Sequence, residues 1–433
     1  MKFKKTFNTA LVIGGILTSN AIAMGEEIKD STLEKKSITP VSFFGNSNFS
    51  NTKNSGEGTS VNWLTEPKRP WFGQKYDPLF TDGGDAIYGL DFIPTLSKQT
   101  YDLINHNNDV IYNHILRNAN PLKKGEHSYY VGVDGSVFSD DPYENVLGYK
   151  TEITGAYFGM DYQIHEQLRL GGVFNLGQSK YNYDDSNSSR EDTFFQGNFY
   201  LDHKNEEDLR LVSMIYFGKT NSDLNRHYNA TLYNGNNPGI PVNESATSDM
   251  ENYYFGINNI VSKRHDIEKF KTSFYYEPRF QFNAAYLIQD SIDESTTSSD
   301  FDGLSIDSDD SYSINSSLGV AVGKDFYLEN NKKFTLEFEV DLLVELGNKY
   351  SDLTNKGNFK DRVPVNGFPP KPGEPTGETN LIKGYESDYI SVVTSIMGYY
   401  EINNNFLLYG GLSYGAGENE KNTYGNIGIN YTF

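Results

Sequence analysis

The chain has 433 residues and no cysteine, which excludes disulfides, thiolate metal sites and a cysteine nucleophile. It carries 37 Lys and Arg against 58 Asp and Glu, a net charge of -21, and so lacks the positive field a nucleic-acid partner would need. A mean hydropathy of -0.59 excludes a bundle of membrane-spanning helices, yet 14% of the residues are aromatic, with 32 Tyr and 28 Phe.

Residues 1–23 read as a secretory signal peptide. Lys2, Lys4 and Lys5 form its basic end, an apolar run extends from Ala10 to Leu17, and Ala21-Ile22-Ala23 supplies the small residues of a cleavage site. The apolar run is too short to span a bilayer. Export through the secretion translocon into an oxidising compartment suits a chain without cysteine. Residues 24–93 are polar and rich in Ser, Asn, Gly and Thr, without a sustained period, and read as a largely disordered exported segment. Trp63, Trp71, Phe72, Tyr76 and Phe80 cluster there among Pro67, Pro70 and Pro78, either as a local packing cluster or as a short binding motif.

Residues 94–120 change pattern. Leu103, Ile104, Ile111 and Ile115 recur at helical spacing, between Pro94 near the start and Pro121 beyond the end. Asn105, His106, Asn108, Asp109 and Asn113 occupy the other face, so the helix is expected to meet polar surroundings on most sides.

From Ser128 onward the period changes to two. In Phe334–Leu346, one face reads Phe334, Leu336, Phe338, Val340, Leu342, Val344 and Leu346. The other carries Glu337, Glu339, Asp341 and Glu345. Four carboxylates cannot enter a dry core unpaired, but they can line a wet lumen while the apolar face meets lipid. A soluble sheet with one solvated face is the alternative. About twelve such segments have the length for tilted transmembrane strands, which need roughly ten residues. They fall near 128–138, 149–162, 168–182, 191–202, 209–221, 250–263, 270–288, 311–325, 333–349, 386–401, 406–416 and 422–433. Short connections alternate with a set that includes 221–249, 289–310 and 351–385, the asymmetry of an outer-membrane barrel. The expected fold is all-β: a 12-stranded antiparallel transmembrane β-barrel, with an N-terminal α-helix in or near its lumen. The last strand places Ile427, Ile429, Tyr431 and the terminal Phe433 on one face. We read Ile429, Tyr431 and Phe433 as a C-terminal signal for the barrel assembly machinery.

Taken together, residues 93–433 resemble the translocator domain of autotransporters, the type V secretion family. The resemblance rests on Leu96-Ser97-Lys98-Gln99-Thr100-Tyr101 opening a helix before the barrel, on Gly155–Tyr162 followed by Leu168–Gly172, on Tyr276-Glu277-Pro278-Arg279-Phe280, and on Gly428–Phe433. It implies a helix threaded through a barrel, 121–433, that anchors and helps export the N-terminal segment. It also implies a monomer set in outer-membrane lipid and lipopolysaccharide. Residues 24–93 are far shorter than the family's usual passenger and contain no repeat. A stand-alone channel or porin, or a surface adhesin, with the helix as a plug is the alternative reading.

Little else points to chemistry. Some members of the family cut their passenger by asparagine cyclisation, which singles out Asn107 and Asn108, although Asn-Asn recurs elsewhere, as at 236–237, 258–259 and 330–331. His165, His203 and His265 fall in short connections, and no nucleophile–base constellation is visible. The acidic segment 290–310 and the proline-rich 363–375 read as solvated outer loops. No metal, cofactor or catalytic residue is assigned, and the chain is expected not to be an enzyme.

Overall fold

The computed structural model describes residues 95–117, 122–140, 148–184, 187–232, 240–267, 273–296, 305–306, 308–329, 332–347, 389–403, 405–417 and 421–433, with a short pairing of Leu79–Phe80 and Ala86–Ile87. The expected signal peptide, the tryptophan cluster, the proline-rich segment and most of 24–93 lie outside the described residues.

One helix, α1 (Leu96–Arg117), precedes twelve long strands. These are β1 (His127–Asp140), β2 (Tyr149–His165), β3 (Leu168–Tyr183), β4 (Ser189–Lys204), β5 (Leu209–Leu232) and β6 (Ile240–Lys263). There follow β7 (Ser273–Gln289), β8 (Asp309–Tyr327), β9 (Lys333–Glu345), β10 (Ile390–Asn403), β11 (Phe406–Ala416) and β12 (Lys421–Thr432). Each pairs antiparallel with its sequence neighbour, and β12 returns to β1 from Thr432↔Tyr130 to Asn422↔Asp140. The sheet therefore closes, and closure satisfies the backbone groups that lipid cannot. Phe433 completes the seam: its N–H donates to Tyr129 O at 2.8 Å, and Tyr129 N–H donates to Phe433 O at 3.0 Å.

Alternation in sequence becomes alternation across the wall. On β9, Leu336, Phe338, Val340 and Leu342 are exposed outside the barrel, while Thr335, Glu337 and Glu345 are buried inside. Glycines on the inner face make room for large neighbours. A methyl group at Gly171 would collide with the Tyr200 ring, and one at Gly132 with the Tyr157 ring. Each tyrosine lies flat across a bare strand, which packs the lumen beside α1.

One expected loop is largely strand. The connection 221–249 continues as a paired arm, with β5 and β6 in register out to Leu232↔Ile240. Its Asn, Ser and Asp residues show no sustained apolar alternation to reveal it, although Leu224 and Ala246 within it are buried. The acidic segment 290–310 is also partly built. Ile292–Asp293 pairs with Ser305–Ile306, and Ser295–Thr296 pairs with Thr247–Ala246 of β6. Glu294 is not a solvated loop acid: it is buried and receives Arg226 Nε at 2.8 Å.

Candidate functional site: the lumenal helix and its two walls

At about 1.5 Å per residue the 22-residue α1 extends about 33 Å, near the thickness of a bilayer core. Its apolar face packs on the inner surface of the barrel. Ile104, Val110, Ile111 and Ile115 form one buried cluster with Tyr157, Val173, Tyr200, Met214, Tyr216 and Tyr254. The polar surroundings expected of the other face are present, but in a packed setting: His106, Asn108 and His114 are buried against polar partners on β1, β2, β4 and β12.

Polar bonds fix the helix at three levels. At its N-terminal end, Arg190 of β4 donates through Nη1 to Leu96 O at 2.8 Å, through Nη2 to Thr100 Oγ1 at 3.0 Å, and through Nε to Asp192 Oδ1 at 2.7 Å. Lys98 Nζ lies 2.5 Å from Asp140 Oδ2 and donates to Tyr149 OH at 3.1 Å. In the middle, His106 Nε2 lies 2.7 Å from Asp134 Oδ2, and Gln196 Nε2 donates to Asn108 Oδ1 at 3.0 Å.

At the C-terminal end, Arg169 of β3 and Arg210 of β5 donate to Ile115 O at 3.0 and 2.6 Å. Two guanidinium groups thus meet the free carbonyls and the negative end of the helix dipole. Asp202 joins the two arginines, and Asp161 binds Arg169 together with His114 Nε2 and the Tyr200 hydroxyl. Asn430 Nδ2 donates to His114 Nδ1 at 2.8 Å, which leaves the proton on Nε2, facing Asp161.

The opposite wall is different. Asp102, Asn105, Asp109 and Asn113 form a stripe at helical spacing that is not fully buried, and Asp109 is exposed in the middle of the helix. Asn105 and Asn113 touch β7 and β10 through Asn283 and Tyr399. The four acids of β9 divide by partner. Glu337 and Glu339 bind Arg279 of β7 at 3.2 and 2.8 Å, and Tyr275 OH donates to Glu337 at 2.6 Å. Glu345 accepts from Ser313 Oγ and Ile314 N–H. Glu339 and Asp341 lie within electrostatic range of Asp109, so the helix presents an acid to acids there. Sequence reasoning missed Arg279 as their partner; its signal was a lone cation on the polar face of β7.

Asn107 and Asn108 sit against β3 and β4, where Asn175 Nδ2 reaches Asn107 O at 3.5 Å. At the seam, Tyr431 and Phe433 are exposed outside the barrel, and Phe433 stacks on Tyr129 and Tyr431 with ring centroids 6.1 and 5.8 Å apart. The described residues contain no group of three His, Asp or Glu arranged to hold a metal ion.

The Autotransporter beta-domain family model matches residues 130–368, more than half of the chain. The chain belongs to the autotransporter family. Among solved structures, the translocator domain of autotransporter NalP from Neisseria meningitidis is 13% identical, with a TM-score of 0.50 over 77% of this chain and 98% of that one. The beta domain of the Bordetella autotransporter BrkA is 11% identical, with a TM-score of 0.46 over 71% of this chain and 99% of that one. The transport unit of AIDA-I from Escherichia coli is 13% identical, with a TM-score of 0.41 over 74% and 97%. No curated protein sequence matches the chain. This autotransporter barrel is a translocator of the bacterial outer membrane, with its helix N-terminal to the strands.

Proposed function

We propose that the barrel (121–433) holds residues 24–93 at the cell surface, with α1 as the tether through the lumen, after residues 1–23 are removed during export. The observation that carries this reading is the direction of the helix. Its N-terminal end bonds to Asp140, Tyr149, Tyr183 and Arg190, which lie where β1–β4 meet the same end of the barrel as the connection 346–389. Its C-terminal end bonds to Arg169 and Arg210, at the end closed by the short turns 166–167, 205–208 and 404–405. Long connections face outward in outer-membrane barrels, so the chain before α1 emerges outside.

The partners that follow are lipid and lipopolysaccharide around the apolar belt, the secretion translocon for the leader, and the barrel assembly machinery for Ile429, Tyr431 and Phe433. We infer a monomeric, non-catalytic anchor. His106 and His114 hold the helix, and scission at Asn107-Asn108 is not needed for display.

Epitope tags at residue 50 and within 363–375 test the reading on intact cells. Antibody labelling of both is expected. A tag at 50 that stays hidden while the loop tag is labelled refutes display.

A further inference from the structure

The lumen beside α1 is not uniformly packed. On β1–β6 most of the inward side chains in the middle of the barrel are buried against the helix, whereas the middle of β8–β11 is not. Ser317, Glu339, Asp341, Ser395 and Ser413 remain partly accessible across from the exposed Asp109. Toward the long-loop end this accessible strip continues through Ser391, Val393 and Asn422. Toward the short-turn end it stops. Met397, Tyr399, Leu407 and Tyr409 form a separate buried cluster there, and Tyr399 OH donates to Asn113 Oδ1 of the helix at 3.3 Å. The space is thus an accessible acidic vestibule, closed toward the short turns by this cluster on β10 and β11 and by buried Thr335 and Glu337 on β9.

Its charge is one-sided. Arg279, the cation at its edge, is engaged by Glu277, Glu337 and Glu339. Asp109 and Asp341 have no ion pair among the described residues. Carboxylates in a water-filled passage favour cations, and a constriction lined by apolar side chains stops ions by excluding water.

We propose that the helix does not close this barrel alone: the Met397–Tyr399–Leu407–Tyr409 cluster is the permeability seal of a latent, cation-selective path between α1 and β8–β11. Asp109 and Asp341 set the preference for small hydrated cations, and the cluster keeps the path shut at the short-turn end. The proposal goes beyond display and is read independently of it.

The test uses the full mature chain in planar bilayers under a potassium chloride gradient. Wild type is expected to stay shut. Met397→Ala/Tyr399→Ala should conduct, with a reversal potential displaced toward that of potassium and a conductance a small fraction of that of a barrel lacking 94–120. Adding Asp109→Asn and Asp341→Asn should return the reversal potential to near zero while conductance persists. Tyr399→Phe keeps the ring and should stay shut. Heat-modifiable electrophoretic mobility shows that each variant is folded, and Tyr399→Ser alone replaces the double variant if that one fails to fold. The proposal is overturned by a wild type that conducts as well as the cluster variant, by a folded cluster variant that stays shut or conducts as much as the helix-deleted barrel, by an unselective current with both acids intact, or by a selectivity unchanged after their removal.

Discussion

Arg169 shows how single side chains hold the lumen together. It is buried, joins Asp161 to Asp202, and donates to the last turn of the helix. Removing one partner of a buried ion pair leaves uncompensated charge and costs about 3–5 kcal/mol. Arg169→Ala is therefore expected to lower barrel stability by about that amount, measured by urea unfolding from lipid vesicles. An unchanged unfolding midpoint would mean that water enters and screens Asp161 and Asp202. Gly171 fails for a different reason. Gly171→Ala places a methyl group into the Tyr200 ring and so disturbs the Tyr200–Asp161 bond. Slower formation of the heat-modifiable folded band is expected, and Gly172→Ala, where the nearest atoms are 3.5 Å from the added carbon, serves as the mild control.

At the scale of elements, α1 and the β5–β6 arm contrast. The helix is largely polar by sequence, and its stability comes from the wall that surrounds it. The arm is polar, and β5 loses its β4 neighbour beyond Asn225↔Ser189. Its outer part therefore carries little of the barrel. Replacing 228–244 by a two-residue turn should leave barrel yield and heat-modifiable mobility unchanged. A loss of folded barrel would show that the arm contributes to assembly.

For the whole molecule, closure is the decisive event. The β12–β1 seam is finished by Phe433, whose backbone exchanges two hydrogen bonds with Tyr129 and whose ring stacks on its neighbours. Deleting Phe433 is expected to reduce outer-membrane levels of folded barrel several-fold, read by fractionation. Normal levels would remove Phe433 from the assembly signal. The negative mean hydropathy also finds its explanation at this scale. It averages a polar lumen, polar connections and an apolar belt only one strand-face deep.

The period-two pattern determined the strands, because a wall one residue thick must alternate between lipid and water. Phe334–Leu346 and the last strand are legible for that reason alone, as is the helix from its spacing. Sequence could not reveal partners across the lumen. Arg279 meets Glu337 and Glu339 only because β7, β8 and β9 are adjacent in the closed sheet, and His106 meets Asp134 only because the helix lies inside it. The arm is not legible because its apolar residues, Leu224 and Ala246 among them, are too sparse to set up an alternation. Local alternation is written in neighbouring residues. The closely packed wall on one side of α1 and the accessible acidic one on the other arise from closure, which brings together residues that have no relation along the chain.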